Sequence, residues 1–168
     1  MIKKKILKNV WLFVIMGLVY FVLEGIFRVI SGESARQFNL EYITLQGHSS
    51  LWMMLVGGIS GWLIGYINEL RCLKNLKMIF ITLIGCFIIS SLELVSGAIL
   101  NILLNFNLWD YSKYPINLLG QIELFHSIGW LFITPLTVCL DDALRAWIFD
   151  EGKAYSPLIP YKKLFTLK

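Results

Sequence analysis

Apolar residues dominate four stretches of the chain, at about 9–30, 51–68, 78–104 and 119–140, and polar residues collect in the short segments between them. Each run can supply the roughly 20 helical residues needed to cross a hydrocarbon core of about 30 Å, so the pattern predicts four transmembrane helices. The second run is the shortest. Its glycines suit a helix held among other helices rather than bathed in lipid. The 31–49 segment is polar and predicted to lie outside the membrane, with Ser49 or Ser50 capping the second helix. Pro115 breaks any helix running on from the third span, and Asn117 is the expected cap of the fourth. Beyond the fourth span, residues 141–168 read as an interfacial helix, in which Asp141 and Arg145 lie four apart, followed by a basic tail turning at Pro157 and Pro160.

Composition agrees with this pattern. Hydrophobic residues make up 57% of the 168, the mean hydropathy is +0.70, and charged residues are only 15%, against about 25% in soluble domains. All but Arg28, Arg36 and Lys113 of the fifteen Lys and Arg lie in the N-terminal segment, the connection at 69–77 or the tail. Basic residues accumulate in short cytoplasmic segments, so both termini are expected in the cytoplasm of a multi-pass cell-membrane protein. The expectation is one all-α membrane domain over residues 1–168, a four-helix bundle. The net charge of +4 follows from this asymmetry and from attraction to anionic membrane lipid, and points to no nucleic-acid partner. Lys162 and Lys163 are expected at the inner leaflet. Cys72, Cys86 and Cys139 form no C-x-x-C pair and are expected as reduced packing residues.

The polar residues within the spans carry the candidate chemistry. Gly57, Gly61 and Gly65 recur every four residues and leave a groove in which another helix can pack closely. Ser90, Glu93, Gly97 and Asn101 share one stripe of the third helix, Gly97 being a further packing position. Glu123, His126 or Ser127, Trp130, Thr134 and Asp141 share one of the fourth, and Glu24 and Arg28 can pair on the first. Taking about 1.5 Å per residue from outer boundaries near 30, 102 and 119, Arg28 lies roughly 3 Å below the outer surface, Glu123 about 6, Glu24 about 9, His126 about 10 and Glu93 about 13. Ionisable groups within spans mark bundle interiors or wet cavities. The expectation is a polar pocket in the outer half of the bilayer, the alternative being neutralising pairs that fix helix register.

Other chemistries find little support in the residues. Glu123-x-x-His126 has the spacing of one half of a di-iron site, but a second Glu-x-x-His is absent. There is no P-loop, no H-E-x-x-H and no G-x-S-x-G. No metal or cofactor is expected, and nothing in the sequence requires catalysis.

Four stretches stand out: FVLEGIFRVISG around Glu24, LQGHSSLWM (45–53), ELVSGAILN (93–101) and LWDYSKYPINLLGQIEL (108–124), the most specific pattern being WDYS-x-x-P-x-N-x-x-G-x-I. Together they resemble the CmpB-like, type IV ABC-transporter family of small membrane proteins, which includes animal transmembrane proteins of unknown role. The resemblance marks Glu24, Gly47, His48, Ser49, Trp52, Glu93, Gly97, Trp109, Asp110, Tyr111, Ser112, Asn117, Gly120 and Glu123 as shared positions. The second helix departs from the family pattern in its MLVGGISG stretch. Residues and resemblance together give Glu24, Arg28, His48, Trp52, Glu93, Asn101, Trp109, Asp110, Tyr111, Asn117, Glu123 and His126 as the expected pocket. The expected function is a transport-associated, permease-like or small-ligand-binding subunit, acting as a homodimer or with a partner transporter subunit. The alternatives are a membrane enzyme acting on lipid or isoprenoid headgroups, with Glu93 or Glu123 as base and Arg28 holding an anionic group, and a purely structural scaffold.

Overall fold

The computed structural model describes residues 2–30, 50–74, 76–154 and 156–166, and for 2–5 and 71–74 the backbone alone. Among these residues the architecture is all-α: α1 (Ile2–Ile30), α2 (Leu51–Lys74), α3 (Met78–Gly97), α4 (Leu124–Phe149) and α5 (Leu158–Phe165). One two-stranded hairpin, β1 (Asn117–Leu118) with β2 (Ile122–Glu123), precedes α4. Four of the helices contain apolar spans long enough to cross a membrane: Ile6–Ile30, Leu51–Leu70, Met78–Leu103 and Leu124–Phe149. His48, with Gly47, Ser49 and the rest of the 31–49 segment, lies outside the described residues.

The chain forms two compact units, Met1–Ile59 and Ser60–Lys168. In the first, α1 packs on the start of α2, where glycines take the place of side chains. A Cβ on Gly17 would lie 2.5 Å from the Met54 carbonyl oxygen, and one on Gly58 would lie 2.8 Å from Phe13. One on Gly57 would strike the Tyr20 ring. Close backbone approach through small residues is how helices associate without a hydrophobic driving force between them. Gly57→Leu should therefore cost at least the 1–3 kcal/mol typical of overpacking, whereas Ile59→Ala, at an exposed position, should stay within about 0.5 kcal/mol. Thermal unfolding in detergent measures both.

In the second unit, Ile64, Met78, Ile81, Ile89 and Val138 form the apolar core, with Ile67, Trp130 and Leu164 packed against it. A Cβ on Gly65 would collide with the Asp141 carboxylate, and one on Gly85 with Thr134, so both glycines seat side chains of α4. Gly61, the middle of the predicted seam, is buried.

Two boundaries differ from the sequence expectation. The third helix is α-helical to Gly97 and then widens into a π-helical turn, Ala98–Leu103, ended by Asn105 and Asn107 at positive φ. Asparagine tolerates that conformation through local side-chain hydrogen bonds, such as Asn107 Nδ2 to the Asn105 carbonyl at 3.2 Å. The fourth helix starts at Leu124 rather than 119. Leu119 and Gly120 both have positive φ, 56° and 67°, and form a tight turn closed by Gln121 N to the Leu118 carbonyl at 3.0 Å. Gln121 and Glu123 thus stand before the helix and not in its first turns. Glu123, not Asn117, is the cap: its carboxylate accepts the Phe125 and His126 amides at 2.8 Å each. Ser50 caps α2, accepting the Trp52 amide at 3.2 Å.

Downstream, 141–149 continues α4 as expected, and the helix ends at Asp150 in the left-handed conformation. The tail differs from its expectation. It forms α5, with Pro157 at the N-cap and Pro160 in the first turn, where a missing N–H costs little.

Candidate functional site

The WDYS stretch folds into a cap at the end of the third helix, and most of its polar groups are spent on holding that cap together. Asn101 Nδ2 donates to the Trp109 carbonyl at 3.0 Å and to Gln121 Oε1 at 2.8 Å, while its Oδ1 accepts the Leu108 amide at 2.7 Å. Trp109, buried, donates its indole N–H to the Gln121 carbonyl at 3.0 Å. Gly97 has no side chain because Gln121 occupies the space: a Cβ there would lie 2.5 Å from Gln121 Oε1. The π-helical turn thus carries Asn101 into the loop's backbone.

The exposed half of the cap is equally self-contained. Asp110 accepts the Ser112 amide at 2.8 Å and its hydroxyl at 2.9 Å, an Asx-type turn. These two donors, the amide first, hold the Asp110 carboxyl below its ordinary value. A lowered value means that the carboxylate favours the folded loop at neutral pH, and that this contribution fades only as pH falls below about 3.9, the unfolded value. Asn117 donates to the Tyr114 carbonyl at 2.7 Å and accepts the Gly120 amide at 2.9 Å. Asp110 and Asn117, expected in a pocket, are turn-forming residues on the surface. Gly120→Ala should be destabilising by about 1 kcal/mol, since the added Cβ would sit at positive φ, 3.0 Å from Asp110 Oδ1. A lowered melting temperature checks this.

What the cap leaves over converges beneath it. Tyr111 OH donates to Glu93 Oε1 and Trp130 Nε1 to Glu93 Oε2, both at 3.2 Å. Glu93 is 5% exposed and lies within α3. Beside it, His126 Nδ1 pairs with Glu123 Oε1. The His126 ring packs against Tyr111 at 4.7 Å between centroids and against Tyr114 at 5.7 Å. Glu93 is held by two neutral donors, and His126 is held by Glu123. Glu123 is tied by its place ahead of the first helical turn, not by a position one turn into the span.

Of the other expected residues, Glu24 and Arg28 pair within the first unit, Arg28 Nη2 to Glu24 Oε1 at 2.7 Å, and Trp52 is exposed. Trp130 and Tyr114 were not among the expected site residues, although Trp130 shares the stripe of Glu123 on the sequence. A second polar group was also missed. Asp141, 1% exposed, receives Arg145 Nε at 2.9 Å. Arg145 also reaches Glu69, and Asn68 donates to Asp142 at 2.8 Å. Asp141 and Arg145 pair as their spacing predicts, but they are buried rather than solvated at an interface. The signal for this was Asn68, a lone amide near the end of an otherwise apolar run.

Four helices long and apolar enough to cross a membrane define a multi-pass, all-α membrane protein. The family model described as "Putative ABC-transporter type IV" matches residues 11–151, most of the chain, and the protein belongs to that family. No curated protein and no solved structure matches significantly.

Proposed function

We propose that the chain is a transport-associated subunit of the cell membrane that receives a small polar ligand at a water-accessible cleft around Glu93, Tyr111, His126 and Trp130. The family supports a role in transport, and the observation that carries the site is Glu93 itself. A carboxylate inside a span is costly unless compensated. This one takes two neutral hydrogen bonds at 3.2 Å, longer than the 2.7–2.9 Å of close charge-assisted contacts. Such a group can exchange a donor for a ligand with little loss. Glu123 and His126 flank it as a prepaired acid and base, and Tyr111 and Tyr114 supply aromatic walls.

Movement driven by ATP would need a partner, because the chain has no P-loop. A second copy or an ATPase-bearing subunit fits that role. The enzyme alternative is less well supported, since Glu123 is already engaged as helix cap and as the partner of the His126 ring. In this reading both ends of the chain lie in the cytoplasm and the cleft opens outward.

Cysteine labelling of intact cells with a membrane-impermeant reagent tests both statements. Lys113→Cys and Glu93→Cys should react from outside, Lys163→Cys only after permeabilisation, and Phe87→Cys, on an exposed apolar position, not at all. Protection of Glu93→Cys while Lys113→Cys reacts would remove the cleft. External reaction at 163 would invert the topology.

A further inference from the structure

Charge around Glu93 is unbalanced. Two carboxylates, Glu93 and Glu123, meet one imidazole, His126, which can carry at most one positive charge, so with both carboxylates ionised the cleft is net negative. Glu123 takes that imidazole and the first amides of α4. Among the described residues Glu93 takes only neutral donors, Tyr111 OH on one oxygen and Trp130 Nε1 on the other. A carboxylate oxygen has two lone pairs, so each of these oxygens can accept a second bond. Ser90 Oγ, one turn away on the same stripe, is buried with only the weak Cys86 thiol beside it. Lys113, the base of the cap, is exposed and acts on Asp110.

The walls are aromatic. Tyr111 and His126 lie 4.7 Å apart between centroids and 32° from parallel, and Tyr114 stands across them at 71° and 80°, its centroid 6.0 Å from that of Tyr111 and 5.7 Å from that of His126. Rings crossed in this way form a corner, and ring faces attract a cation within about 6 Å of their centroids. Tyr114 is 38% exposed, which leaves the corner open to water on that side. Ring faces do not supply the shell of oxygens that a bare metal ion demands, and among the described residues no three His, Cys, Asp or Glu side chains are placed to hold a metal. An alkylated ammonium suits both features, its charge answering the carboxylate and its methyl groups the rings.

We infer, resting on the transport cleft proposed above, that its ligand is a small organic cation of the quaternary ammonium class, with the charge set against Glu93 and the alkyl groups against Tyr111 and Tyr114. Glu93 selects for charge and Tyr114 for a cation that an aromatic face can hold. Neutral and anionic solutes of the same size are excluded by the unbalanced carboxylates.

Isothermal titration calorimetry of the full-length protein in neutral detergent, with choline and its uncharged carbon isostere as ligands, tests this. The isostere keeps the shape without the charge and should bind at least about tenfold more weakly than choline, and Glu93→Gln should weaken choline by a similar factor. Tyr114→Leu should weaken choline about two- to fivefold, while Tyr114→Phe, which keeps the ring, should retain wild-type affinity. Rescue by phenylalanine separates the ring face from a fault in folding. Equal binding of choline and its isostere, choline binding untouched by Glu93→Gln or by Tyr114→Leu, or no choline binding at millimolar concentration would overturn the assignment. So would displacement of choline by an equal concentration of sodium, which would make the cleft a metal-cation site. External labelling of Glu93→Cys keeps the two statements apart: with that labelling intact these results strike only the choice of ligand, and without it the cleft itself falls.

Discussion

Arg145→Met should cost roughly 3–5 kcal/mol of stability, the penalty for removing one partner of a buried ion pair. Asp141 is 1% exposed and sits where Gly65 has no side chain. Without the guanidinium its nearest remaining donor is Asn68 Nδ2 at 3.5 Å, at the edge of hydrogen-bonding distance. The charge would stay buried with little compensation. Glu69 and Glu151 are nearly half exposed and should lose little, as rim charges are screened by water. Adding Asp141→Asn to Arg145→Met should recover most of the loss, because removing both charges leaves no buried ion. Thermal or urea unfolding of the single and double variants gives the coupling directly; additive losses would contradict the pairing.

Asn101→Leu should have a comparable effect for a different reason. One side chain joins the Trp109 carbonyl, the Gln121 side chain and the Leu108 amide, so its loss leaves several buried polar groups without partners, each costing about 1–3 kcal/mol. The expected result is a lowered melting temperature together with early proteolysis within 104–116. Gln121→Leu should show a milder version, since the Trp109 indole bonds to the Gln121 backbone and would be retained. An Asn101→Leu protein as stable as wild type would mean that the cap holds without this junction.

Helices and stripes were legible in the sequence because apolar runs at membrane length and polar residues at helical spacing have few other readings. Glu93, Gly97 and Asn101 do share a buried face, and Glu24 does pair with Arg28. The start of α4 was misplaced because Leu119 occupies a left-handed turn position. A leucine there carries no local signal, and the apolar run reads straight through it. The same error put Glu123 inside the helix, although a carboxylate followed by two amides awaiting partners is a cap pattern. Asp110 and Asn117 read as pocket residues in the sequence because residues that build turns are also residues that bind ligands. Only the fold distinguishes Asp110, bonded to Ser112, from Glu93, aimed into the protein. The buried state of Asp141 and Arg145 depends on Gly65, 76 residues away from Asp141 in the chain, and no local pattern reports it.

The account rests on Glu93 being a working group rather than a fastener, and one measurement separates these directly. Glu93→Gln keeps the size of the side chain and can still accept from Tyr111 and Trp130, so stability in detergent should change by no more than about 1 kcal/mol. In cells dependent on the protein, the same variant should nevertheless fail to complement. Loss of complementation with an unchanged melting temperature is the predicted result; full complementation by a stable Glu93→Gln protein would contradict it and leave Glu93 as a lock between α3 and α4.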